Sequence, residues 1–370
     1  MKILILTCST GEGHNSAGKA ILEQAEKHGD SCEMVNAFQF LPKGEAKIVT
    51  KGHSFIAANI PKVFGAGYKA AENVSQKVIY TLCAQGAGRI YRFLQQGGYD
   101  IIICVHVISA LMITHAKKKF RIPQPVCFVA TDYSVVPGIK ETNMDAYFIP
   151  VGFKDKFASA GIPERLICET GIPVGERFYI KHDKNEARRS LGLPEDKKIA
   201  MLMCGSMGCR LMVSIARLFS EISGPNQMLV IICGNNKRVK NRLQEENLKN
   251  TLVVGYSTKV DMYMDAVDLL ISKAGGLTST EALSKRLPTL CVNIIPNLES
   301  QNQDYMVDRG FALGVDKADE AAAAACELLG NDEKLSEIRH NIETGFIEDS
   351  AAYLYRCLPA LLKPVNENLR

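Results

Sequence analysis

The sequence predicts two doubly wound α/β domains in tandem. Short apolar runs of strand length recur along the chain, and each runs into a polar or glycine-rich turn that a helical pattern follows. Lys2 to Cys8 is the first such run, followed by an amphipathic helix to about His28. Lys198 to Cys204 restarts the pattern. No low-complexity linker or solenoid repeat interrupts it, so two α/β domains are the one repetition in the chain.

The domain boundaries follow from composition. Gly171 to Gly175 carries two glycines and a proline between unlike segments, and we expect a hinge there. We predict an N-terminal domain at residues 1–172, a hinge at 173–184 and a second domain at 185–345. Residues 346–370 are predicted to form a C-terminal helix that packs back towards the first domain.

The remaining strands are predicted from apolar runs and the helices from their periodicity. The predicted strands are Glu33 to Phe40, Asp100 to His106, Pro125 to Tyr133, Ala146 to Pro150, Met228 to Cys233, Thr251 to Tyr256, Val267 to Ile271 and Thr289 to Ile294. The predicted helices include Lys43 to about Gln96, Thr280 to Lys285, Ala321 to Leu329, Glu333 to Thr344, and Ala351 to Leu362 with an interruption at Pro359.

Composition excludes several classes of protein. A net charge of +4 over 370 residues is too mild to indicate nucleic-acid binding. No apolar run approaches the roughly 20 residues that cross a bilayer, and Met1 to Leu6 is too short for a signal-peptide core. We therefore expect a cytoplasmic protein.

The twelve cysteines form no CxxC pair. Most lie in apolar runs, where cysteine behaves as a small hydrophobic residue. Cys204 and Cys209 are the closest pair, and no histidine cluster accompanies them. We expect reduced thiols, with neither a disulfide framework nor a zinc site.

Three polar residues of the first domain lie at the carboxyl ends of predicted strands, where open α/β sheets bind their ligands. They are His14, His106 and Asp132. His14 can be a general base for a hydroxyl proton or a cap for the following helix, and the residue type does not separate these hypotheses. The run Gly13 to Lys19 nearly matches the nucleotide P-loop, but Ala20 stands where the metal-binding hydroxyl belongs.

In the second domain a predicted strand turns through Gly275 and Gly276 into a helix. Backbone N–H groups and the helix dipole at such a turn favour phosphate. Glu281 is expected in the first helical turn, where its carboxylate could accept hydrogen bonds from sugar hydroxyls. The alternative is a Gly-Gly turn that packs helix on strand, with Glu281 on the surface.

Between Lys43 and about Gln96, basic residues are interleaved with apolar and aromatic residues. This pattern suits contact with an anionic membrane surface. Helices packed on a sheet with a solvated outer face give the same pattern.

Three motifs together resemble a known family. They are Gly11-Glu12-Gly13-His14-Asn15, Gly205-Ser206-Met207-Gly208, and Gly275-Gly276-Leu277-Thr278-Ser279-Thr280-Glu281-Ala282-Leu283 with Pro288, Glu299 and Asn302 downstream. The chain resembles the monogalactosyldiacylglycerol synthase and processive diacylglycerol glucosyltransferase branch of glycosyltransferase family 28. The resemblance implies the GT-B architecture, with two Rossmann-like domains facing a central cleft.

The resemblance also implies roles for individual residues. His14 and Asp132 would be catalytic, and the acceptor side would include Gly13, Asn15, His106 and Tyr133. The donor, a UDP-sugar, would contact Gly205, Ser206, Tyr256, Gly275, Gly276, Leu277, Thr278, Glu281, Glu299 and Asn302. Attack would be in line with inversion, and neither a cofactor nor a metal would be required.

The leading hypothesis is transfer of a hexose, glucose or galactose, to diacylglycerol by an enzyme peripherally associated with the inner face of the cell membrane. Two departures from the family pattern bear on it: Leu298 replaces a glutamine, and the segment after Asp132 lacks the family's His-Pro-x-Trp cluster. Three alternatives stay open: transfer to a polyprenyl-linked sugar or small aglycone, a non-catalytic UDP-sugar sensor, and a sugar-nucleotide epimerase. The oligomeric state is not predicted.

Overall fold

The computed structural model describes residues 1–8, 12–42, 68–206, 208–292, 299–346 and 349–362, with 68–80 and 82 described by backbone alone. The chain divides into two units. One unit comprises Met1–Glu176 and the segment that starts at Asp349, and the other comprises Arg177–Glu348.

The N-terminal unit is built on a parallel six-stranded sheet. Its strands are β1 (Lys2–Thr7), β2 (Ser31–Asn36), β3 (Ile101–Cys104), β4 (Val126–Val129), β5 (Ala146–Ile149) and β6 (Ile167–Glu169). Their order across the sheet is β2-β1-β3-β4-β5-β6. Four strands are buried over nearly their whole length, because helices cover both faces of a parallel sheet. The helices are α1 (Glu12–Lys27), α2 (Tyr68–Gly97), α3 (Val107–Lys119) and α4 (Lys154–Ser159).

The second unit repeats this design. Its strands are β7 (Lys198–Met203), β8 (Gln227–Ile232), β9 (Thr251–Val254), β10 (Leu269–Ser272), β11 (Thr289–Val292) and β12 (Ala312–Val315), in the parallel order β12-β11-β10-β7-β8-β9. Its helices are α5 (Lys184–Leu191), α6 (Leu211–Ile222), α7 (Lys237–Glu245), α8 (Val260–Ala266), α9 (Gly276–Ser284), α10 (Ser300–Asp308), α11 (Ala318–Leu329) and α12 (Asp332–Gly345).

The last helix, α13 (Ser350–Leu361), belongs to the N-terminal unit. Leu354 and Leu358 lie in the same buried cluster as Ile21 and Ala25 of α1. The Tyr355 ring stacks on His28 with ring centroids 4.5 Å apart, and its hydroxyl donates to Asp30. These contacts fix the C-terminal helix on the first helix of the chain.

The predicted fold class of two parallel α/β domains is confirmed, with corrections to several elements. β2 ends at Asn36, and a 3₁₀ turn at Ala37–Phe40 replaces the rest of the predicted strand. α9 begins at Gly276, one turn before the predicted start, and α13 continues through Pro359. The short strands β6 and β12 were not predicted. Residues 43–67 of the predicted helical region lie outside the described residues.

Candidate active site

The strand order places three polar segments of the N-terminal unit beside one another. β1 and β3 are adjacent strands, followed by α1 and α3. The chain continues from β1 to β2 on one side of this pair and from β3 to β4 on the other side. Such a switch point opens a crevice at the carboxyl ends of the strands. His14 lies at the start of α1, His106 follows β3, and Asp132 follows the neighbouring β4. These residues therefore lie, as predicted, at the carboxyl-terminal ends of neighbouring strands.

The imidazole of His14 is held through its Nδ1 atom. The backbone oxygen of Val105 lies 3.0 Å from Nδ1, and Thr131 Oγ1 lies 2.9 Å from the same atom. Because a carbonyl oxygen can only accept, Nδ1 carries the proton in the neutral ring. The lone pair is then on Nε2, which is the form a general base requires.

His106 and Asn15 are both predicted to lie near the acceptor. In the structure each contacts other parts of the N-terminal unit. His106 is the N-cap of α3, and its Nδ1 accepts from the Ile108 N–H at 3.0 Å. Its ring meets the His14 ring edge-on, with centroids 4.4 Å apart. Thr7 Oγ1 donates to Asn15 Oδ1 at 2.7 Å, which ties α1 to the end of β1. Gly13, between Glu12 and His14, is half-buried in the first turn of α1.

The two residues after Thr131 differ in exposure. Asp132 is half-buried, whereas Tyr133 is only 2% exposed and lies 6.2 Å from the Phe153 ring. The Tyr133 ring is thus enclosed by protein and stabilises the loop. Its predicted place on the acceptor side stays a prediction.

The second unit has its own switch point, between β7 and β10. The loop after β7 contains Gly205 and Ser206, and Gly205 adopts the left-handed region at φ 67°. The Ser206 carbonyl accepts from the Asn235 N–H at 2.7 Å, and a Cβ on Gly234 would lie 2.2 Å from that carbonyl oxygen. Only glycine permits this close approach of two loops.

The turn after β10 leads directly into α9. Gly275 is the N-cap, and the first helical hydrogen bond runs from the Ser279 N–H to the Gly275 carbonyl at 2.9 Å. The N–H groups of Gly276, Leu277 and Thr278 therefore have no acceptor within the helix. These donors and the positive end of the helix dipole are suited to binding an anion.

Glu281 lies in the second turn of α9, not in the first as predicted from sequence. Burial raises the pKa of its carboxyl group from 4.5 to about 8, although nearby Arg177 opposes the shift. Asp261 contributes further to the increase. At neutral pH the Glu281 carboxyl group is therefore mostly protonated.

Arg177 also connects Glu281 to the segment after β9. Its Nη1 donates to the Thr258 carbonyl at 3.1 Å. Tyr256, two residues earlier, is 65% exposed. An exposed aromatic ring is suited to stacking on a nucleobase, and a half-buried carboxyl group is suited to hydrogen bonding with ribose hydroxyls.

Lys273 pairs with Glu299 and was not among the predicted site residues. Its Nζ lies 2.5 Å from Glu299 Oε1, and Glu299 is 7% exposed. Within the described residues, the buried Glu299 Oε2 has no hydrogen-bond partner. Asn302 Nδ2 donates to the Ala274 carbonyl at 2.9 Å, so Asn302 stabilises the turn before α9. Contacts of Glu299 and Asn302 with a sugar stay predictions.

Arg177, Lys273 and Thr131 were missed because their contacts connect residues far apart in sequence. Lys273 does carry a local signal, since a cation lies two residues before the first glycine of the Gly-Gly turn. Across the described ranges, no group of three or more His, Cys, Asp or Glu side chains could hold a metal ion. In the same ranges no helix is long and apolar enough to cross a membrane.

Two protein-family models match the chain. Residues 14–174 match the family model of monogalactosyldiacylglycerol (MGDG) synthase, and residues 199–349 match the glycosyltransferase family 28 C-terminal domain. The chain belongs to this glycosyltransferase family. A processive diacylglycerol beta-glucosyltransferase from Bacillus cereus (strain G9842) is 27% identical over 364 residues, which cover 95% of this chain and 92% of that protein.

Solved structures extend the comparison to the fold of this family 28 glycosyltransferase. MurG of Acinetobacter baumannii superposes with a TM-score of 0.64 at 13% identity, covering 97% of this chain and 99% of MurG. A UDP-GlcNAc 2-epimerase from Neisseria meningitidis gives 0.58 at 16% identity, with 98% and 99% covered. The two Rossmann-like units are those of the GT-B fold. Enzymes of different reaction types share this fold, so the fold alone does not determine the reaction.

Proposed function

We propose that the protein is an inverting glycosyltransferase that moves a hexose, glucose in the first instance, from a UDP-sugar to the hydroxyl group of diacylglycerol. The observation that carries the transfer chemistry is the orientation of His14. Its Nδ1 faces a carbonyl oxygen, so the lone pair of the neutral ring is on Nε2, which acts as the base. The choice of diacylglycerol is supported by the name of the Bacillus cereus relative, which aligns over 95% of the chain.

The reaction begins at the acceptor hydroxyl. His14 Nε2 takes its proton as the oxygen attacks the anomeric carbon of the sugar, and the bond from that carbon to the UDP oxygen breaks. The Val105 carbonyl and Thr131 hold the ring in the required tautomer. We place the Asp132 carboxylate beside this step, where it stabilises the positive charge that His14 gains.

The leaving diphosphate is stabilised at the start of α9. The N–H groups of Gly276, Leu277 and Thr278 point towards the negative charge that develops on UDP. Lys273 adds a cation two residues before the helix cap. Glu281 binds the ribose hydroxyls and Tyr256 the uracil ring, while Glu299 accepts from a sugar hydroxyl through Oε2. With these groups in place, we propose that turnover needs no bound metal.

The acceptor also decides where the enzyme acts. Diacylglycerol resides in membranes, so we place the protein at the inner face of the cell membrane as a peripheral enzyme that contacts anionic lipids. Arg89 and Arg92 of α2 are exposed and belong to the basic and aromatic region identified in the sequence. Sedimentation with phosphatidylglycerol vesicles tests this placement, and equal sedimentation with neutral vesicles contradicts the electrostatic part.

The deciding experiment follows radiolabel from UDP-glucose into the organic phase in the presence of diacylglycerol vesicles. We expect labelled lipid from the wild type and none above background from His14→Ala. His340→Ala, a substitution of an exposed histidine on α12, is the matched control and should keep full activity.

The same assay separates the alternatives. Saturable UDP-glucose binding without labelled lipid would favour another acceptor or a sensor. Conversion of a UDP-sugar to its epimer without acceptor would favour an epimerase, a reaction type found on the same fold.

A further inference from the structure

Lys240 lies beside the strand end that carries Tyr256. It belongs to the first turn of α7, whose buried residues Val239 and Leu243 pack in the core of the second unit. The Lys240 side chain runs across Gly255, the residue before Tyr256. A Cβ atom on Gly255 would lie 3.4 Å from Lys240 Cδ and 3.5 Å from Nζ. The ammonium group therefore lies next to the backbone that presents the Tyr256 ring.

The charge of Lys240 is not neutralised by the protein. Within the described ranges of the chain, no acidic side chain pairs with this half-buried lysine. Lys237 and Arg238 add two more cations to the same turn of α7, which contains no acidic residue. Because the positive end of the helix dipole disfavours cations, this composition does not serve the stability of the helix. A local conflict of this kind is typical of a functional site.

The strand order separates Lys240 from the proposed diphosphate site. The diphosphate donors are at the start of α9, which follows β10, whereas Gly255 follows β9. β7 and β8 lie between these two strands, so the strand ends are about 14 Å apart at about 4.8 Å per strand. A nucleotide that has its phosphates at α9 therefore reaches Lys240 with the base at its other end.

Tyr256 and Lys240 are suited to different parts of one base. The exposed Tyr256 ring is suited to stacking on the face of the base. An ammonium group has three N–H donors and no acceptor, so at the edge of the base it binds a carbonyl oxygen and repels an amino group. Uracil has an oxygen at C4, where cytosine has an amino group. Lys240 can therefore distinguish the two pyrimidines at this atom.

We propose that Lys240 is a specificity-determining residue of the donor site, and that its ammonium group donates to O4 of uracil and so selects uridine over cytidine nucleotides. This role rests on the proposed function, which places the ribose at Glu281 of α9 and the base at Tyr256. β9 is the edge strand on this side of the sheet. Lys240 beside it therefore meets the edge of the base farthest from the ribose, which is where O4 lies.

The expected effects follow from the strength of a hydrogen bond with a charged donor. Loss of such a bond in Lys240→Met should raise the Kd for UDP about tenfold to a hundredfold. In the wild type the amino group of cytosine faces the ammonium group without an acceptor, so CDP should bind at least about tenfold more weakly than UDP. In Lys240→Met the ratio of the CDP Kd to the UDP Kd should fall at least about fivefold.

Calorimetric titrations of UDP and CDP into the full chain test these values. Lys237→Met, a change of an exposed lysine in the same helical turn, is the matched control and should bind both nucleotides as the wild type does. Denaturant titrations of the same proteins provide a second measurement. Lys240→Met should be at least as stable as the wild type, because it removes an unpaired cation from the positive end of a helix.

The outcomes separate this role from the proposed donor site. If Lys240→Met binds UDP as tightly as the wild type does, the role of Lys240 is overturned and the donor site stands. An equal loss of affinity for UDP and CDP also overturns it, because Lys240 would then contact a group that both nucleotides share. A loss of affinity together with a lower free energy of unfolding would assign Lys240 to the fold instead. Wild-type protein that binds neither nucleotide refutes the proposed donor site, and base selection by Lys240 with it.

Discussion

Replacing Glu281 with glutamine tests the donor site most directly. Hydroxyl groups of a ribose donate to a carboxylate, so binding favours the ionised form of Glu281. The pKa of the Glu281 carboxyl group is about 8. In the protein without ligand, about a tenth of these carboxyl groups are therefore ionised at pH 7 and about half at pH 8. Wild-type affinity for UDP-glucose should therefore rise about fivefold over this interval. Glu281→Gln should bind UDP-glucose more weakly than the wild type does at pH 8, and its affinity should not rise between pH 7 and pH 8.

The same carboxyl group makes folding stability depend on pH. The unfolded chain releases the proton near the ordinary value of 4.5, whereas the folded protein retains it up to about pH 8. The folded state binds more protons in this window, so stability is greatest below it and falls as pH rises through it, by at most about 1.4 kcal/mol per pH unit. Glu281→Gln should lose less stability between these pH values.

Isothermal titration calorimetry with UDP-glucose measures the affinities, and titration in buffers of different ionisation enthalpy measures the proton released on binding. UDP-glucose is the ligand of choice because its diphosphate does not titrate in this range. Glu186→Gln, a change of an exposed glutamate on α5, is the matched control. The reasoning fails if Glu281→Gln binds as tightly as the wild type at pH 8, or shows the same rise with pH.

Three further predictions concern the proposed mechanism. His14→Ala should lower turnover at least about a hundredfold and leave the Kd for UDP unchanged. An equal loss of UDP affinity in His14→Ala and Glu281→Ala would contradict the assignment of His14 to catalysis and Glu281 to donor binding. Lys273→Met should lower the free energy of unfolding by about 1–3 kcal/mol, because it leaves the buried Glu299 charge unpaired, and adding Glu299→Gln should recover part of the loss in a denaturant titration. Dialysis against EDTA should leave the rate within about twofold, and activity that is lost and then restored by Mg²⁺ would show a required metal.

The sheets could be predicted from sequence because their strands are continuous apolar runs. Ile3 to Leu6 and Ile101 to Cys104 are fully buried, and burial on both faces leaves a signal that needs no alternation. The edge strands β6 and β12 were not predicted because they are short and half-exposed. Their pairing depends on a neighbouring strand that local sequence does not reveal.

The start of α9 was placed too late for a related reason. Gly-Gly-Leu-Thr has low helix propensity and is typical of a turn. In the folded protein Thr280 Oγ1 donates to the Gly276 carbonyl at 2.7 Å, and Ser284 Oγ donates to the Thr280 carbonyl at 2.9 Å. Buried hydroxyls are thus satisfied within the helix, and tertiary packing overrides propensity. This shift places Leu277 and Thr278 in the first turn, where their N–H groups have no acceptor within the helix.

The donor and acceptor sides differ in how far sequence can define them. The proposed diphosphate site consists of backbone N–H groups, whose positions a local strand–turn–helix motif sets, so a short motif suffices to predict it. The proposed acceptor side consists of side chains from three strand ends and of the segment after Asp132. In that segment Gly138 adopts φ 88° ahead of a 3₁₀ turn at Ile139–Glu141. Since no backbone motif specifies which lipid or sugar such side chains accept, donor recognition can be conserved in form while acceptor choice changes with a few side chains.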